Sequence, residues 1–244
     1  MTWFWRLVLV LSVLLLGPGW MVASGGIDPE SNWLRGSTAP AGLAPDPRTT
    51  TEAIVQVYGA RALAWKGAFG IHTWIAIKPT GAAAYTVHEV MGWRARSGRP
   101  ALVSHRRAPD GYWFGYRPTV LAELRGPAAA AAIPRIDAAV AAYGYKHVYR
   151  AWPGPNSNTF TAYVAREVPD LRLDLPPTAV GKDYLGGVWA TAPSGTGWQA
   201  SFYGLLGLLL AREEGVELNL LGLSVGVDVG DRALRLPGVG RVEL

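Results

Sequence analysis

Gly70-Ile71-His72-Thr73-Trp74-Ile75-Ala76-Ile77-Lys78 is the stretch on which the reading of the fold turns. Isoleucines at 71, 75 and 77 alternate with His72, Trp74 and Ala76, so the run reads as a strand with two unlike faces. Pro79-Thr80-Gly81 ends it with turn chemistry, and Tyr85 to Trp93 reads as its hairpin partner. On that partner His88 shares a face with Thr86 and Val90, while Glu89 points the other way. Upstream, Ala53 to Trp65 alternates in part (Ile54, Val55, Val57, Tyr58) and supplies a further strand. Residues 101–105 and 111–116 are two more short strand candidates. Neighbours this close in sequence pair antiparallel, so the sheet is expected to be mainly antiparallel.

Helical patterns follow the strands. Pro118 to Leu124 reads as a helix closed by Gly126. Pro134 to Tyr143 reads as a second, with Ile133, Ile136, Val140 and Tyr143 at helical spacing and five alanines that extend it backward. Asn156 to Val168 is a third, entered through Asn156-Ser157-Asn158-Thr159, all capping residue types, and stopped by Pro169. In the tail, Ser201 to Ala211 reads as an apolar helix, and Leu223, Val225, Val227 and Val229 alternate as a strand. The expected class is α+β, a mainly antiparallel sheet with packed helices behind an N-terminal hydrophobic segment. The expected division is a leader over 1–24, a linker over 25–51 rich in Gly, Pro, Ser and Asp, a core over 52–175, and an extension over 176–244.

The leader's apolar run is Leu7-Val8-Leu9-Val10-Leu11-Ser12-Val13-Leu14-Leu15-Leu16, flanked by Trp3, Trp5 and Trp20. A run of this length sits at the short edge of what crosses a bilayer core, and tryptophans at both ends suit the two interfaces. Arg6 precedes the run and Asp28 and Glu30 follow it, which places the N-terminus in the cytoplasm and the rest outside. A cleaved signal peptide accounts for the same residues, with small side chains at Ala23-Ser24-Gly25 and a helix break at Gly17-Pro18-Gly19. The expected location is therefore outside the cytoplasm, with the membrane as partner through this segment unless it is cleaved. With the bacterial resemblance given below, that means the inner membrane facing the periplasm, or the periplasm after cleavage.

Composition narrows the chemistry. The chain has 244 residues, 17% charged and 50% hydrophobic, which excludes a disordered chain. It has no Cys, so disulfides, thiolate metal sites and thiol nucleophiles are excluded. The 23 basic residues are scattered, giving a net charge of +5 without the basic stripe that nucleic acid requires. Histidines 72, 88, 105 and 147 show no metal-ligand spacing, so neither a metal nor a cofactor is expected. Asn156-Ser157 at a helix start, where backbone N–H groups favour an anion or a developing alkoxide, stands out beside His72 and His88.

The order of these pieces, His72-Thr73-Trp74-Ile75-Ala76, then Thr86-Val87-His88-Glu89-Val90, then Asn156-Ser157-Asn158-Thr159-Phe160, resembles circularly permuted papain-like enzymes. That group includes the NlpC-type cell-wall peptidases and the lecithin:retinol acyltransferases. The resemblance implies His72 as base, His88 as its orienter, Ser157 in the nucleophile position and Asn156 beside the oxyanion. The family's Cys is Ser here, and a hydroxyl demands more of the same base. A more specific resemblance rests on residues 65–76 (Trp65 to Ala76), 112–115, 152–160 and 192–199. These pieces resemble a bacterial family known only as domain of unknown function 3750, which implies no activity.

Two functions follow as expectations. One is an envelope hydrolase or acyltransferase acting on amide or ester bonds, in which His72 takes the Ser157 proton. The other is an inactive envelope binding or structural module, with Trp74, Trp113 and Trp152 as platforms.

Overall fold

β2 (Ile71–Lys78) sits at the centre of a five-stranded sheet and fixes what surrounds it. The computed structural model describes residues 3–31, 34 and 36–244. Residues 1 and 2 of the expected leader, and 32, 33 and 35 of the expected linker, lie outside the described residues. The other strands of this sheet are β1 (Ile54–Arg61), β3 (Thr86–Val90), β4 (Leu102–Arg106) and β5 (Thr119–Arg125), in the order β4-β3-β2-β1-β5. Every pairing is antiparallel, with Val57 opposite Ile75 and Ile75 opposite His88. The class expected from the sequence, α+β with mainly antiparallel pairing, is the one observed.

The isoleucine face of β2 meets two helices, α3 (Gly126–Ala142) and α4 (Ser157–Glu167). Ile75 and Ile77 pack there with Val55, Val57, Ile136, Phe160 and Val164, all buried. The opposite face holds Tyr58, Trp74, Val87 and Trp113. It is covered in part by the segment read as a linker. Leu43 and Ala44 pack on this face, and their N–H groups donate to the Asp110 carboxylate at 2.6 and 3.2 Å. Residues 43 and 44 thus tie this segment to the sheet.

Three local expectations are corrected. Residues 119–125 form β5, not a helix. β1 is buried along its length and its second edge needs a ladder partner, which β5 supplies. Gly126, at φ +57°, opens α3 instead of closing a helix. Residues 111–116 form a turn with two isolated bridges, Gly111 to Pro40 and Trp113 to Tyr116, not a strand.

The tail departs furthest. Seven strands form an antiparallel meander in the order β12 to β6: β6 (Trp189–Thr191), β7 (Gly197–Phe202), β8 (Leu206–Ala211), β9 (Gly215–Leu220), β10 (Leu223–Asp228), β11 (Ala233–Leu236) and β12 (Gly240–Glu243). The helix expected over 201–211 is thus the β7–β8 hairpin. Tyr203 and Gly204 take positive φ at its turn, which a helix would not permit. The strand expected over 223–229 is β10.

α1 (Trp3–Ala23) runs unbroken through Pro18 for 21 residues, about 32 Å. The break expected at Gly17-Pro18-Gly19 does not occur. Leu14 and Pro18 are buried, while Trp3, Trp5, Leu9 and Leu16 are exposed. Gly17 lies so close to the β11–β12 turn that a Cβ there would fall 1.9 Å from the Pro237 oxygen. Arg61 holds the junction together, donating to the carbonyls of Gly67, Gly238 and Val239 at 3.1, 2.6 and 3.0 Å and lying 3.8 Å from Met21 Sδ. α2 (Gly92–Arg96) is a single short turn after β3.

Candidate functional site

His72 lies where the strand pattern places it, on the Trp74 face of β2. Its ring stacks on Trp113 with centroids 3.6 Å apart and planes 11° apart. Nε2 is 3.5 Å from Glu89 Oε2, long for a hydrogen bond, so this buried nitrogen has no well-formed partner. Burial pulls the His72 pKa below its ordinary value, against the opposing attraction of Glu89.

Glu89 organises this face. It is fully buried, yet three groups converge on it: His105 Nε2 at 2.5 Å, Arg107 Nε at 3.0 Å, and His72. Burial works to raise its pKa. The hydrogen bond from His105, the close approach of His72 and the Arg107 charge outweigh that and hold it far below the usual carboxylate range. The Arg107 guanidinium also sits 5.1 Å from the Trp74 ring. Trp93 and Trp74 extend the aromatic layer on either side of Trp113.

His88 occupies the other face of β3. Its Nδ1 is 2.8 Å from Ser104 Oγ and its Nε2 is 3.6 Å from the Asp137 carboxylate on α3. Burial lowers its pKa as well. It cannot orient His72, because the sheet separates the two rings. The residue that does contact His72 is Glu89, the neighbour that alternation sends to the His72 face. Strand register was the signal: with Ile75 opposite His88, Trp74 comes opposite Glu89.

The start of α4 is built from capping interactions. The Asn156 side-chain oxygen accepts from the N–H groups of Asn158 and Thr159, and Thr159 Oγ1 accepts from the Asn156 N–H in return. The Asn156 amide nitrogen donates to the carbonyls of Ala151 and Val180 at 3.0 and 2.9 Å. Its donors are therefore occupied. Thr73, the residue after His72, points to this helix and contacts Asn158 Oδ1 and Thr161 Oγ1, each at 2.9 Å. α4 thus lies against the Thr73 face while His72 projects from the other. The structure does not bring the His72 imidazole to Ser157, which is buried in the first turn of α4.

The tryptophans do not line a common groove either. Trp74 and Trp113 are buried in the stack, whereas Trp152 is pinned to the β9–β10 turn through Nε1 and the Leu221 carbonyl, 2.8 Å apart. His147 lies exposed in the turn after α3. Among the described residues no group of three or more His, Asp or Glu is placed to hold a metal ion.

Fold and site together define an α+β protein with two antiparallel sheets, a cluster of His72, His105 and Arg107 around the buried Glu89, and an apolar N-terminal helix long enough to cross a membrane. The chain belongs to the family described as Protein of unknown function (DUF3750), whose model matches residues 52–184. The match takes in the first sheet, α3 and α4. It leaves out α1, the second sheet and the piece at 192–199 on which the resemblance also rested. No curated protein and no solved structure matches the chain.

Proposed function

We propose that the protein is a membrane-anchored, non-catalytic module of the bacterial cell envelope, held to the inner membrane by α1. The observation that carries this reading is the side of β2 from which His72 projects. A serine hydrolase needs its base within hydrogen-bond reach of the nucleophile. Here the imidazole is occupied between Trp113 and Glu89, on the face away from Ser157. Of the groups expected at the oxyanion, the N–H groups of Asn158 and Thr159 donate to the Asn156 side-chain oxygen, and the Asn156 amide is committed to two backbone carbonyls. Asn156 to Thr159 serve as a helix cap, and the Glu89 cluster serves to lock β2, β3 and β4 together.

A serine-directed fluorophosphonate separates this module from the papain-like hydrolase or acyltransferase. The purified chain should remain unlabelled at Ser157. Ser157→Cys adds a thiol to a chain that has none. Its alkylation rate should be the same with His72 intact and in the His72→Ala background. Labelling of Ser157, or a thiol that slows when His72 is removed, would restore the enzyme.

A further inference from the structure

The seven-stranded sheet is built inside out. On β7 to β11 the side chains turned toward the protein are largely polar or charged: Gln199, Ser201, Glu217, Asn219, Ser224 and Arg235 are all buried. Beneath the sheet Glu217 joins Lys182 Nζ at 2.6 Å and Arg235 Nε at 2.5 Å, and Arg235 also reaches Asp174. The outward positions are apolar on each of these five strands. Register aligns them into continuous rows: Trp198 opposite Leu210, Phe202 opposite Leu206, Leu208 opposite Leu218 and Val216 opposite Val227. Phe202 and Leu206 are 60% and 56% exposed. Among the described residues no charged side chain lies on the outward face of β7 to β11, and an uninterrupted apolar face of this extent is rare on a monomer in water.

We infer that this outer face rests on the lipid surface of the same membrane that α1 enters, an inference that depends on α1 acting as an anchor. Position on the molecule identifies the occupant. The apolar surface of α1 meets the sheet at the β11–β12 turn, where Pro18 packs against Gly238 and Gly17 against Pro237. That junction tethers one end of the sheet to the helix at the level where it leaves the bilayer. Trp189 and Trp198 stand exposed on β6 and β7, the opposite end of the sheet, and Trp20 near the end of α1. Such rings favour the headgroup boundary. A face without charge carries no penalty for that burial, whereas its open strand edges confine it to the interfacial zone, where water still reaches backbone groups. The polar inner face, in turn, is matched to Asp174 and Lys182 in the segment beneath it.

Absence of native Cys makes the test direct. Single substitutions Leu218→Cys and Phe202→Cys on the sheet, Ala138→Cys on the exposed side of α3, and Val8→Cys in α1 are labelled with an environment-sensitive fluorophore. The full chain is then reconstituted in phosphatidylcholine–phosphatidylglycerol vesicles with and without lipid spin-labelled at a shallow depth. Labels at 218 and 202 should shift to the blue and lose most of their intensity to the spin label, while the label at 138 stays water-like and unquenched. Water-like emission at 218 and 202 overturns the inference. If the label at 8 is still lipid-exposed in that case, the anchor survives and only the sheet's seat on the membrane fails. Labels at 218 and 202 that are shielded yet unquenched, with the unlabelled Leu218→Cys chain forming a disulfide-linked dimer, would mean that a second copy covers the face, and would equally overturn it.

Discussion

Glu89 has no exposed surface and holds His105, Arg107 and His72 around one carboxylate. Removing the charge while keeping the shape leaves Arg107 facing a neutral amide in a poorly hydrated site. Glu89→Gln should therefore cost about 3–5 kcal/mol in denaturant unfolding, the usual consequence of breaking a buried pair. Glu52→Gln breaks the exposed Glu52–Arg125 pair, 2.9 Å long, and should cost less than about 1 kcal/mol. Equal effects would mean that the cluster is not the clamp described. The same face sets the acid response. His72 and His88 are depressed below 6.5 by burial, so the unfolded chain takes up their protons first. The stability that they contribute is complete above that value and is lost as the pH falls below it, by up to about 1.4 kcal/mol per pH unit for each proton. Glu89, depressed from 4.5, adds a further loss at lower pH. Thermal midpoints should fall between pH 7 and pH 5, and His88→Gln should flatten that part of the curve. The face of His72 was legible from alternation alone. Its partner was not, because pairing Glu89 with His105 and Arg107 needs the register of three strands and the turn beyond them.

At the scale of the element, β2 and β8 show when a sequence discloses its structure. In β2 one face carries isoleucines and the other His72, Trp74 and Ala76, so the period of two is visible. In β8, Leu206, Leu208 and Leu210 face outward, while Gly207, Leu209 and Ala211 face inward. Both faces are apolar, and the period vanishes. A helix is then the natural reading, with Tyr203-Gly204 the only local sign of a turn. β5 was obscured differently, since its strand character comes from the unpaired edge of β1 and not from its own sequence. The inside-out meander predicts an inverted pattern of sensitivity to mutation. Glu217→Gln leaves Lys182 and Arg235 short of a buried counter-charge and should cost about 3–5 kcal/mol. Leu218→Ser, one residue away but on the exposed face, should change stability in detergent by no more than about 0.5 kcal/mol. A larger loss from the leucine than from the glutamate would show that the faces are assigned the wrong way round.

Across the whole molecule, the packing of α1 favours one of the two fates that the sequence left open, cleavage and retention. A leader destined for removal gains nothing by packing against the mature domain. α1 instead buries Leu14 and Pro18, and Arg61 ties its C-terminal end to the β11–β12 turn and to the 3-10 turn at Ala64–Ala68. Cleavage after Ala23 would uncover the apolar surface around Gly238 and Val239 and take Met21 away from Arg61. Retention is therefore expected. Intact mass of the protein purified from membranes should include the segment through Ala23, and extraction should require detergent, not salt or alkali. If α1 crosses the membrane as proposed, Arg6 ahead of the apolar run, with Asp28 and Glu30 after it, favours an N-terminus in the cytoplasm. A C-terminal reporter active only in the cytoplasm should accordingly be silent, and one active only outside it should report. A mature chain beginning near Ser24 would remove the anchor, and a bright cytoplasmic reporter would reverse the orientation. Arg61→Ala offers an independent check on the junction. Without the hydrogen bonds that Arg61 donates to the carbonyls of Gly67, Gly238 and Val239, the β11–β12 turn should be cut by protease faster than in the parent chain. On the proposed anchoring, membrane extraction should remain unchanged, because the substitution leaves the apolar run of α1 intact.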